Sequence, residues 1–348
     1  MKTAVKTAIT SFGMSGQVFH GPLLKVNPKF EVTHILERSK CLSAELFPNA
    51  KIVRNFQEII NCEDIELVVI NTPDEFHFEM AAAALKAGKH VVVEKPVTLR
   101  SAEGTELIKL SKKNNKIFTV FQNRRWDGDF VTVSKILASG QLGRLIEFES
   151  HYDRYRTGIA SDSWKEEAGE FAGVLYNLGS HMVDQAYVLF GKPTSVTAHL
   201  KIVRKGGVVT DYYDIRLDYK AFSVILKCSY LVHTQGPRYI LHGEDGSFFK
   251  YGIDPQEELL KAGNLPTGAN WGKDSEPFWG TLNYTKNGNA VQKRIKTEAG
   301  NYNSFYNNVF EAIRNNAELA VKPEEAIEVL KILEACLVSN REKRTVFL

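Results

Sequence analysis

Residues 91–96 read Val-Val-Val-Glu-Lys-Pro. Three β-branched residues in a row predict a buried strand, and Pro96 ends it, because proline has no amide proton for a strand ladder. Glu94 and Lys95 then fall at the strand's carboxyl end, the edge where open α/β sheets take their ligands. A carboxylate beside an ammonium is equally what a salt-bridged surface turn looks like, so the stretch has to be read with what precedes it.

Ala4 to Thr10 mixes small, β-branched and polar residues as a first strand would. Ser11-Phe12-Gly13-Met14-Ser15-Gly16 follows and runs into Gln17-Val18, a G-x-G-x-x-G fingerprint with serine in its first place. Gly13 would let the backbone approach a pyrophosphate, and Gly16 would let the helix pack close to the strand. A second strand, Glu31 to Leu36, ends at Glu37, where an acidic residue meets the adenosine ribose hydroxyls of a dinucleotide. Arg38 comes next and could draw a 2′-phosphate or stack on adenine. Because Glu37 sits at the strand end itself, the expectation is NAD over NADP.

Leu67-Val68-Val69-Ile70 is a further apolar run, ending in Asn71-Thr72-Pro73. An alanine-rich helical stretch from about Glu75 to Ala87 leads to the strand of the opening motif. Ser101 to Asn114 is again helical, and Ile117 to Phe121 is a strand ending in Gln122-Asn123-Arg124-Arg125-Trp126. Such alternation requires a mostly parallel sheet with right-handed crossovers.

Beyond Trp126 the pattern changes. Helices are expected at Phe130 to Ser139, Asn177 to Phe190, Ser304 to Asn315 and from Pro323, with strand-like alternation at Leu145 to Arg156 and in several runs after residue 195. Residues 251–290, rich in Gly, Asn and Pro, read as a long insertion or lid. The fold class is therefore α/β, with a Rossmann dinucleotide-binding domain over residues 1–122. Residues 123–348 would form an α+β domain with a large, mostly antiparallel open sheet.

The glycine turn, Asn71-Thr72-Pro73 with His77 four residues on, and Glu94-Lys95-Pro96 together resemble the Gfo/Idh/MocA family of NAD(P)-dependent oxidoreductases acting on sugars, inositols and related polyols. The resemblance covers nearly the whole chain. Gln122-Asn123-Arg124-Arg125-Trp126-Asp127, Ser150-His151-Tyr152-Asp153-Arg154-Tyr155-Arg156 and Gly173-Val174-Leu175-Tyr176-Asn177-Leu178-Gly179-Ser180-His181 are similar to its scyllo-inositol dehydrogenase branch. It implies that the final helices pack back on the first domain. It also implies that Ser11, Gly13, Met14, Ser15, Gly16, Gln17, Val18, Glu37, Arg38, Asn71, Thr72, Pro73, His77, Glu94, Lys95 and Asn123 surround the nucleotide. His181 would take the hydroxyl proton, with Lys95 beside it. Where the family has Asp-x-Gly-x-His, this chain has Asn177. Arg124, Trp126, Tyr152, Arg154, Tyr155 and Trp164, together with Asn177 and His181, would line a polyol pocket, aromatic faces against C–H groups and polar tips on hydroxyls.

These residues suit the chemistry. Hydride transfer needs a base with a pKa near 7 for the alcohol proton and a positive charge for the oxygen it leaves behind, which His and Lys supply. A non-catalytic dinucleotide and sugar sensor is the first alternative, favoured by Asn177. An NAD-dependent glycosidase is the second.

Bulk properties exclude other classes. The chain has 348 residues, 43% apolar and 24% charged, with a net charge of +3 and no dense basic tract, so nucleic acid is not an expected partner. Cys41, Cys62, Cys228 and Cys336 are scattered, as in a cytoplasmic protein with reduced thiols. No metal site and no membrane span are expected. The sheet face left without helices after residue 195 predicts a homodimer or homotetramer.

Overall fold

The computed structural model describes residues 3–159, 166–167, 169 and 171–348, and the chain forms two compact units. The first comprises residues 1–126, 255–272 and 300–327. Its six strands are β1 (Val5–Ile9), β2 (Phe30–Leu36), β3 (Lys51–Val53), β4 (Leu67–Ile70), β5 (His90–Val93) and β6 (Phe118–Val120). They lie in the order β3-β2-β1-β4-β5-β6, and every pairing is parallel. The order reverses between β1 and β4, which places a ligand crevice at the carboxyl ends of those strands. β4 and Val91 to Val93 of β5 are fully buried, as expected for strands covered on both faces. Residues 300–327 pack on this sheet. Thr119 Oγ1 donates to the Val321 carbonyl at 2.7 Å, and the Phe121 and Phe305 rings meet edge to face at 5.0 Å.

The second unit comprises residues 127–254, 273–299 and 328–348. It holds β7 (Leu145–His151), β8 (Ser195–Lys201), β9 (Tyr212–Asp218), β10 (Ser223–Ser229), β11 (Tyr239–Gly243), β12 (Gly246–Lys250), β13 (Gly280–Lys286), β14 (Asn289–Ile295) and β15 (Val346–Phe347). They form one sheet in the order β14-β13-β12-β11-β7-β10-β9-β8-β15, antiparallel except where β7 runs alongside β10. One face is apolar. Phe148, Tyr213, Ile215, Leu217, Val224 and Leu226 are buried there, and Phe148 meets Phe190 of the Ser180–Phe190 helix at 5.3 Å.

The stretch 251–290, expected as a long insertion or lid, is divided between the two units. It contains the Gln256–Lys261 helix in the first unit and β13 in the second. The open face of the large sheet is the more polar of the two. Its central positions are Glu149, His151, Asp153 and Asp214, each partly exposed and ion-paired with a neighbour. Among the described residues, no helix is long and apolar enough to cross a membrane.

Candidate active site

The first unit presents three loops at the carboxyl ends of β1, β4 and β5. The chain after β1 turns through Ser11 to Ser15 and enters a π-helical turn, Gly16–His20, before the Gly21–Lys25 helix. Gly16 is needed here for space, since a Cβ would lie 2.4 Å from the Ser11 carbonyl oxygen. Asn71, at the end of β4, clamps the turn shut. Its Nδ2 donates to the Ser11 carbonyl at 2.8 Å and to Ser15 Oγ at 3.2 Å. Gly13, Met14 and Gln17 stay exposed, with Val18 half-buried. This cradle, open at Gly13 and closed to side chains at Gly16, fits a dinucleotide pyrophosphate approaching the backbone.

Three residues expected around the nucleotide are buried, and two of them, His77 and Glu37, are hydrogen-bonded within the protein. His77 has no exposed surface, and its two ring nitrogens lie 2.8 Å from the Pro96 carbonyl oxygen and 3.0 Å from that of Thr72. It ties the loop holding Thr72 and Pro73 to the loop after β5. Asn123 is buried within a 3₁₀ turn. Glu37 folds onto its own loop. Oε1 accepts from the Ser43 amide and hydroxyl at 3.0 and 2.6 Å, and Oε2 accepts from the Leu42 amide at 2.8 Å. Burial alone would raise its carboxyl, but the Ser43 hydrogen bonds hold it below the ordinary value. Arg54 fastens the same loop, its Nη1 donating to the Glu37 and Lys40 carbonyls at 2.7 Å, while Arg38 is left exposed.

Arg124 is also committed. It pairs with Glu257 of the Gln256–Lys261 helix, and both side chains are largely buried. Burial favours the neutral acid, yet the Arg124 charge and then Lys261 hold Glu257 down at about 2. Glu257→Gln is therefore expected to cost about 3 kcal/mol of stability at neutral pH, the usual consequence of leaving one buried charge unpaired. A carboxyl with a lowered pKa stabilises the fold above its ordinary 4.5 and loses that contribution as pH falls towards 2. Urea denaturation of variant and wild type should thus differ at pH 7 and converge in acid. A gap that stays constant would remove the ion pair as its cause. Trp126 is half-buried, its ring 6.0 Å from Phe305.

In the second unit the segment carrying His181 begins as a π-helical turn, Leu175–Gly179, and continues as the Ser180–Phe190 helix, rather than running as one α-helix from Asn177. Both signature glycine segments thus enter their helices through π turns, a form that concentrates at functional sites. Gly173 has φ +83°, and a Cβ there would meet the Thr210 carbonyl oxygen at 2.4 Å, so the turn feeding this helix needs glycine. Asn177 is partly exposed, whereas His181 and Asp184 are buried.

Tyr152 does not offer a stacking face. It is 1% exposed, with the Arg238 guanidinium 4.7 Å and that of Arg154 5.2 Å from its ring centre. Arg238, missed in the sequence, is itself buried between Tyr152 and Tyr239 and donates to Ser150 Oγ at 2.6 Å. Tyr155 is 55% exposed, its ring edge-on to His233 at 4.6 Å. Trp164 lies outside the described residues.

Two family models match, the NAD-binding Rossmann fold of an oxidoreductase family over residues 5–122 and the C-terminal alpha/beta domain of the same family over residues 134–348. The chain is 40% identical to the scyllo-inositol 2-dehydrogenase (NADP(+)) IolW of Bacillus subtilis, over 99% of its own length and 96% of that protein. Its fold is similar to the solved oxidoreductase yvaA of Bacillus subtilis (TM-score 0.97, 39% identity, 100% and 99% of the two chains). It is also similar to that of an oxidoreductase from Bacillus cereus (TM-score 0.92, 35% identity, 99% of each).

Proposed function

The chain belongs to the Gfo/Idh/MocA family of NAD(P)-dependent oxidoreductases, and from that premise we propose that it interconverts an alcohol and a ketone on an inositol-like polyol. The observation that carries the substrate class is the end-to-end likeness to a scyllo-inositol 2-dehydrogenase. The bound nicotinamide supplies the hydride acceptor or donor. The backbone of the turn from Ser11 to Gly16 holds the pyrophosphate. His181 accepts the alcohol proton on its imidazole during oxidation, and the Lys95 ammonium stabilises the negative charge on the substrate oxygen. Asn177 can bond a substrate hydroxyl but supplies no charge to an imidazolium. That substitution is what favours a sensor as the second reading. A screen of inositols and sugars with both nucleotides, followed by the absorbance of reduced nicotinamide, tests the proposal.

The preferred nucleotide on this reading is NADP(H), the reverse of the expectation from sequence. Glu37 has no oxygen turned outward to accept from the ribose hydroxyls, because both are occupied by Leu42 and Ser43. Exposed Arg38 can then receive the phosphate. Arg38→Ala is expected to lower kcat/KM for NADP about tenfold or more, the scale of one charge-assisted contact, with that for NAD little changed. A wild type that prefers NAD would return the choice to Glu37.

A further inference from the structure

Two buried polar residues of the first unit, His20 and Tyr306, connect to the half-buried Glu94 next to Lys95, and none of the three takes part in the steps above. His20 closes the Gly16–His20 turn and has no exposed surface. Its Nδ1 lies 2.6 Å from the Tyr306 hydroxyl and its Nε2 3.1 Å from Glu94 Oε1. Glu94 Oε2 in turn accepts the Lys95 amide at 3.1 Å. Burial keeps the Tyr306 phenol far above its ordinary pKa, so it holds its proton. With the imidazole proton on Nε2, Tyr306 donates to Nδ1 and His20 donates to Glu94. Every donor in the row has one acceptor. Burial would push the Glu94 carboxyl up, but the His20 hydrogen bond and the Lys95 charge leave it below the ordinary value, an acceptor at both oxygens. Both rings are packed against aromatic neighbours. His20 packs 4.4 Å from Phe121, and Tyr306 packs 5.4 Å from Phe30.

We propose that His20 and Tyr306 are positioning residues for Lys95, acting through Glu94 to fix the main chain at residue 95 and with it the direction in which the ammonium is delivered. The proposal rests on the role given to Lys95 above and takes Glu94 out of direct contact with the nucleotide. Misplacing a catalytic group by about 1 Å costs on the order of 100-fold in rate.

His20→Leu breaks the row at its centre, and Tyr306→Phe removes a single oxygen while keeping the ring. His20→Gln restores an amide that can accept from Tyr306 and donate to Glu94. On a polyol that wild type oxidises, His20→Leu should lower kcat roughly 10- to 100-fold. Tyr306→Phe should lose less and His20→Gln least, with NADPH affinity unchanged in all three. Amide hydrogen exchange gives a reading that needs no turnover. In His20→Leu and Tyr306→Phe the Lys95 amide should exchange about tenfold faster, one hydrogen bond's worth, while Val91 to Val93 keep their protection. If wild type oxidises no polyol, the role of Lys95 in catalysis fails, and the exchange result still decides the row. Unchanged Lys95 exchange in both variants overturns the proposal. So does a fall in NADPH affinity that matches the fall in kcat.

Discussion

His181→Ala is expected to lower kcat by roughly 10²–10⁴-fold, the usual worth of a general base placed on the reacting proton. The base is needed only as the hydroxyl proton leaves, so the loss should fall on kcat and kcat/KM alike. The nucleotide turn lies in the other unit, so NADPH affinity should stay within about twofold, well under one hydrogen bond's worth. Asn177→Asp in the same unit is the companion change. A carboxylate near the imidazole favours its protonated form, so the pH–rate profile should move towards higher pH. Steady-state kinetics over a pH series read both. Wild-type turnover in His181→Ala would remove this histidine from the chemistry.

Lys95→Met should cost roughly 10²–10³-fold in kcat, as does removal of one preorganised group that stabilises an oxyanion. Methionine keeps most of the stem and loses the charge, so packing after β5 is preserved while the electrostatic contribution goes. Because that charge acts on an oxygen that becomes negative only during reaction, KM for the polyol should change far less than kcat. Comparing the two constants in Lys95→Met checks this. A large rise in KM with kcat intact would make Lys95 a binding group instead.

Much of this architecture is readable from the sequence, for physical reasons. β4 and β5 of the first sheet are apolar runs rich in β-branched residues, ended by Asn71-Thr72-Pro73 and by Glu94-Lys95-Pro96, and burial on both faces imposes that composition. β14 is not readable. It is an edge strand, exposed along most of Asn289 to Ile295, so no burial enforces alternation. Tyr152 was legible in principle. It alternates with Phe148 and Ser150, which puts it on the buried face, and the period-2 signal should outrank an aromatic residue's appeal as a sugar platform. Glu37 was not, because spacing places a carboxylate at a strand end but does not say which way it turns. His20 and Arg124 share that difficulty. Their partners, Tyr306 and Glu257, lie far along the chain, and only the fold brings them into contact.

The central claim is tested most directly by mixing the protein with scyllo-inositol, its stereoisomers and a set of sugars, each with NADP and with NAD, and following reduced nicotinamide by absorbance. The account predicts net formation of NADPH with at least one inositol, faster than with NAD. Saturable nucleotide binding with no turnover on any polyol, or sugar release from a glycoside with no net reduced nicotinamide, would contradict it.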